Sequence, residues 1–89
     1  MKFDENIASK AISLAKKYGA TELILFGSAL NLGDDARDLD LACDGIEGSK
    51  LYEFAGMSEL EIETPVDVVP LSPPTRFTNY IQKKGKVLL

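Results

Sequence analysis

Apolar positions near the start of the chain recur at helical spacing: Ile7, Ala11, Leu14, Ala15 and Tyr18 fall on one stripe. Asp4 stands where an N-cap belongs and Gly19 where a helix should stop, so the pattern predicts a helix between them. The period then changes. Thr21 to Phe26, centred on Leu23-Ile24-Leu25-Phe26, reads as a first strand. Asn31 to Asp35 is turn chemistry, and Asp38 to Cys43 reads as a second strand stopped by Asp44-Gly45. Ser49 is placed to cap a second helix carrying Leu51, Phe54, Ala55 and Leu60, with Gly56 weakening its middle. Pro65 to Val69 reads as a third strand. Ser72 is placed to cap a third helix that begins at Pro73, presents Phe77, Tyr80 and Ile81, and ends near Gly85. Lys86 to Leu89 reads as a short closing strand.

This order predicts an α/β (α+β) domain over residues 1–89. The first two strands are joined closely enough to pair antiparallel. The second and third are separated by a crossover helix, as a parallel pair requires. The expected architecture is a small mixed sheet with helices packed mainly on one face.

Composition narrows the chemistry. Eighty-nine residues support one domain with one modest core. Histidine is absent, which removes Ser–His and Cys–His catalysis and every histidine metal site. Cys43 stands alone, so there is neither a disulfide framework nor a thiolate zinc site. The net charge of -4 argues against a duplex-DNA binder, which needs a basic face to release counterions. Lys83, Lys84 and Lys86 read as a solvated helix end rather than a nucleic-acid patch. No apolar run approaches the ~20 residues that span a membrane, and the first residues carry no apolar signal core, so a soluble cytoplasmic protein is expected.

The most informative feature is Gly27-Ser28, followed after nine residues by Asp38-Leu39-Asp40. Side chains alternate along a strand, so Asp38 and Asp40 share a face, with Cα atoms roughly 6.5–7 Å apart. Gly27 lets backbone approach a phosphate, and the Ser28 hydroxyl and nearby N–H groups can donate to it. Asp67 lies among Pro65, Val66, Val68 and Val69, in a strand expected to be largely buried. A lone carboxylate there is costly unless a cation answers it. If the third strand neighbours the second, Asp67 joins Asp38 and Asp40 on one face. Paired carboxylates beside a phosphate turn suit magnesium–nucleotide chemistry, in which two metal ions roughly 3.5–4 Å apart bridge the triphosphate and the attacking oxygen.

Other uses of these acids fit less well. An EF-hand reading from Asp38 puts Ala42 and Cys43 at its fifth and sixth places, where an acid and a glycine belong. A dehalogenase-type phosphatase motif continues to threonine where this chain has Leu41-Ala42, and it requires a longer chain. A glycosyltransferase also uses Asp-x-Asp, but needs a nucleotide-sugar domain that this length cannot supply.

Phe26-Gly27-Ser28, then Asp38-Leu39-Asp40-Leu41, then Pro65-Val66-Asp67-Val68-Val69 resembles the minimal nucleotidyltransferases of the DNA polymerase β superfamily. The tail Lys84-Gly85-Lys86-Val87-Leu88 is similar to that family's closing segment. The resemblance implies that Gly27 and Ser28 contact nucleotide phosphates. It implies that Asp38, Asp40 and Asp67 hold Mg2+ (two ions, with Mn2+ as a substitute), and that Asp67 serves as base. It implies transfer of a nucleoside monophosphate, often AMP from ATP or another NTP, to an acceptor hydroxyl. Small members often pair with a helical HEPN-type protein as toxin and antitoxin, and can adenylylate a tyrosine of that partner. The chain departs from the family where arginine commonly follows Gly-Ser: here the loop reads Ala29-Leu30-Asn31-Leu32. Arg37 is the loop's only base, available for a phosphate or for pairing with Asp34, Asp35 or Asp38. The competing reading is an inactive antitoxin that acts by protein binding alone, with Leu30, Leu32, Tyr52 and Tyr80 as contact residues or as core cover. A chain this short leaves acceptor binding to a partner or to self-association.

Overall fold

The computed structural model describes residues 2–31 and 36–89. Helix α1 (Glu5–Lys17) begins where expected: Asp4 Oδ1 accepts the Ile7 N–H at 3.0 Å, meeting one of the orphan donors of the first turn. Its Ala11, Leu14 and Ala15 are buried. Strand β1 (Glu22–Phe26) leads into a single helical turn, α2 (Ser28–Asn31), then strand β2 (Leu39–Asp44). Helix α3 (Gly48–Ile62) crosses to strand β3 (Val66–Pro70), and helix α4 (Arg76–Lys84) precedes the two-residue strand β4 (Lys86–Val87).

The four strands form one mixed sheet in the order β3-β2-β1-β4. β1 runs antiparallel to both β2 and β4, and β2 runs parallel to β3, as the short and long connections predict. Leu23, Ile24 and Leu25 of β1 are all buried because both faces of this strand are covered. That explains why β1 reads as a continuous apolar run and not as an alternating one.

Covering is unequal. Leu23, Leu25, Leu39, Leu41 and Cys43 point into the main core beneath α1 and α3, with Phe54 of α3 at its centre. Tyr18 packs edge-on against Phe54, the ring centroids 6.0 Å apart. The other face carries a smaller cluster of Ile24, Ala42, Leu71 and Ile81, covered by α4. The two long helices therefore share one face, as expected, while α4 shields only part of the opposite one.

Several boundaries differ from the sequence reading. α3 begins at Gly48 with Glu47 at its cap position and no side-chain cap, so Ser49 lies inside the first turn. Leu60 is exposed, because Phe54, Ser58 and Ile62 form the inward stripe instead. α4 starts at Arg76 rather than Pro73. Thr75 and Thr78 form a reciprocal capping box there, which outcompetes Ser72 as the start signal. Tyr52 is 86% exposed, so its helical spacing does not place it in the core. Leu30 is half-buried and packs against the main core, whereas Leu32, Asp34 and Asp35 lie outside the described residues.

Candidate functional site

The uncovered end of the α4 face is where the sequence-predicted residues meet. Asp40 sits on β2 between Leu39 and Leu41, whose side chains point into the main core, so alternation turns Asp40 to the α4 side. Its register partner on β3 is Asp67, and its partner on β1 is Phe26. Register partners on adjacent strands lie roughly 4.8 Å apart, which brings the two carboxylates together on one face. Asp38 immediately precedes β2 and is exposed.

Asp67 corrects one expectation. It is exposed, because β3 is an edge strand and its outer side is open. The partly buried acid is Asp40, on an internal strand. Burial raises the Asp40 pKa, the negative fields of Asp67 and then Asp38 raise it further, and the Ser28 backbone N–H donates to the carboxylate and opposes them.

The turn after β1 is shaped around this carboxylate. Gly27 has φ +74°, and a Cβ there would collide with Asp40 Oδ2 and lie 3.1 Å from its Cγ. Glycine therefore meets two demands at once, a left-handed backbone and the close approach of Asp40. The Gly27 carbonyl accepts from the N–H groups of Leu30 and Asn31 and from the Asn31 side-chain amide, which closes α2. The Ser28 hydroxyl donates to the Asp38 carbonyl at 3.3 Å, tying α2 to the start of β2. Arg37 is exposed and makes no ion pair with any described carboxylate, Asp38 included.

The structure thus brings Asp40 and Asp67 together directly and places Asp38 where Asp40 feels its charge. The three do not close into a cage: among the described residues, no group of three acids or cysteines stands ready to hold a metal ion. The donor chemistry still fits a divalent cation. Hard carboxylate oxygens gather on a rigid sheet, the fields of Asp67 and Asp38 add to the burial that raises the Asp40 pKa, and the acids lack a described basic partner.

A cleft of about 360 Å³ adjoins Gly27, lined by Phe26, Leu30, Asn31, Phe77, Tyr80 and Lys84 among others. It reaches Gly27 but is not lined by the aspartates. By sequence, Tyr80 on its α4 wall reads as a contact residue or core cover, and Lys84 as part of a solvated helix end. The available signal was the spacing of Phe77, Tyr80 and Lys84, which falls on one side of a helix.

The mixed β3-β2-β1-β4 sheet thus carries acids on its adjacent strands β2 and β3 and a glycine turn after β1. No protein-family model matches the chain, and no curated protein matches it. Solved structures do. A toxin–antitoxin complex with AMP-PNP superposes with a TM-score of 0.77 at 21% identity, over 92% of this chain and 72% of that one. A mutant of the MntA-HpeT toxin–antitoxin complex, with two aspartates two positions apart changed to glutamate, gives 0.79 at 19% over the same shares. A complex of tri-AMPylated HEPN toxin with MNT antitoxin from Shewanella oneidensis gives 0.75 at 20%, over 96% of this chain and 71% of that one. The chain has the fold of these minimal nucleotidyltransferase (MNT) antitoxins.

Proposed function

We propose that this chain is an MNT-type nucleotidyltransferase that moves a nucleoside monophosphate, AMP from ATP, onto a hydroxyl of a HEPN-type partner protein. The observation that carries this reading is the Asp40–Asp67 register pair, facing a Gly27 turn from which any Cβ is excluded by Asp40 itself. The neighbours with AMP-PNP and with an AMPylated toxin support the choice of nucleotide and partner.

In this reading Asp38, Asp40 and Asp67 would hold Mg2+ or Mn2+, which would supply charge neutralisation for a bound triphosphate. The chain's own groups do the rest. Gly27 lets the backbone approach the phosphates, and the exposed Arg37 adds positive charge from the loop. The acceptor oxygen attacks the α-phosphorus as the bond to pyrophosphate breaks. Asp67, exposed on β3, accepts the hydroxyl proton. The HEPN-type partner supplies the acceptor hydroxyl.

A second reading has a specific observation behind it. The acids do not close into a cage, and the described part of the loop after Ser28 carries no base before Arg37. This suits an antitoxin that acts by binding alone. One assay separates the two: α-labelled ATP, magnesium, this chain and the protein encoded beside it. Catalysis predicts label on that protein, lost in Asp40→Asn and Asp67→Asn. Neutralisation of that protein by both variants, with no label transferred by the natural chain, would overturn the enzymatic reading.

A further inference from the structure

Ala29, Leu30 and Asn31, directly after Ser28, bring no positive charge to the turn where phosphates are expected, and Arg37 stands at the other end of the loop. The cleft beside Gly27 contains a cation from elsewhere in the chain. Lys84 lines it from the last turn of α4, opposite Leu30 and Asn31 of α2. Lys84 makes no ion pair with a described carboxylate. Between Phe77 and Lys84 the cleft follows two turns of α4, roughly 10 Å. Phe77 stacks edge-on against Phe26, ring centroids 5.7 Å apart, yet remains 51% exposed; Tyr80 is 58% exposed. The wall therefore runs from aromatic surface to a lysine, beside a turn whose backbone is open to close approach. That sequence of surfaces matches a base followed by phosphates.

We infer that Lys84, reaching from α4 across the cleft, supplies phosphate-neutralising charge that α2 lacks, with the base held against Phe77 and Tyr80. The inference rests on the nucleotide reading above and goes beyond it by adding a cation on the far wall of the cleft. Gly85 fixes the wall's position: a Cβ there would press on Ile24 and lie 2.7 Å from the Ile81 carbonyl, so α4 ends tightly against β1. The bland role for Lys84 is to complement the helix C-terminus. Lys83 is a built-in control for that role, since it shares the last turn but does not line the cleft.

The test is calorimetric titration of ATP with magnesium, and separately of adenosine, into the natural chain, Lys84→Gln, Lys83→Gln and Tyr80→Ala. Lys84→Gln should weaken ATP roughly ten- to a hundredfold, the worth of one charge-assisted contact, and leave adenosine unchanged. Lys83→Gln should leave both unchanged, and Tyr80→Ala should weaken both. Equal ATP affinities in Lys84→Gln and Lys83→Gln, with the natural chain binding ATP normally, would overturn the Lys84 assignment while sparing the nucleotide reading. A parallel loss of adenosine in Lys84→Gln would overturn it too, by exposing a packing role. A natural chain that binds neither ligand would remove both the assignment and the reading beneath it.

Discussion

Replacing Gly27 by alanine tests the geometry on which the site depends. Two costs are written in the structure. At φ +74° an alanine pays about 1–2 kcal/mol for the left-handed backbone. The new methyl also runs into the Asp40 carboxylate, and Asp40 cannot retreat through its backbone because β2 is paired on both sides. Relief must come from turning the side chain away from its preferred rotamer, at about 0.5–1.5 kcal/mol. Restricting the unfolded chain returns about 0.4–1 kcal/mol. The net expectation is a loss of about 2 kcal/mol, or a melting temperature roughly 8–16 °C lower for a domain of this size. Urea denaturation of the natural chain, Gly27→Ala, Asp40→Ala and the double variant separates the costs. The carboxylate clash disappears in the Asp40→Ala background, so Gly27→Ala should cost about 1 kcal/mol less there. Equal costs in the two backgrounds, or a loss below about 0.5 kcal/mol in the natural one, would refute the contact between this turn and Asp40.

Other predictions follow from the same residues. Burial, Asp67 and Asp38 raise the Asp40 pKa, so the native state holds this proton more readily than the unfolded chain does. Its contribution to stability is therefore greatest in acid and is lost as pH rises through the raised native value. In chelator at neutral pH, Asp40→Asn should be more stable than the natural chain, with the difference shrinking toward pH 4 in urea titrations. Millimolar magnesium or manganese should raise the melting temperature of the natural chain but not of Asp40→Asn, with about 2.7 kcal/mol gained at one hundred times Kd; no shift in either protein counts against the acid site. Thr75→Ala should cost about 1 kcal/mol by removing the α4 capping box, and should loosen the cleft wall, seen as faster amide exchange across Arg76–Lys84. Cys43, buried with its thiol pKa pushed up to about 11, should resist thiol reagents in the folded protein and react at once in denaturant.

Local chemistry in the sequence was enough for the element order, the antiparallel and parallel pairings, the Asp4 cap, and the meeting of Asp40 with Asp67. Each depends on short-range rules: helical period, strand alternation and connection length. The same rules misplaced Ser49 and Ser72 as caps, because several residues near a helix start can cap it and only the folded backbone selects one. They also gave Asp67 the burial that belongs to Asp40. Which strand stands at the sheet edge is settled by how β1 pairs with both β2 and β4, and nothing in Pro65-Val66-Asp67-Val68-Val69 records that. Gly27 was legible as a flexible turn residue, whereas its contact with Asp40 required two strands to be set side by side. The cleft is still further from the sequence. Phe77, Tyr80 and Lys84 acquire a common purpose only because α4 lies across from α2, and helical spacing alone cannot say which face of a helix a neighbour leaves open.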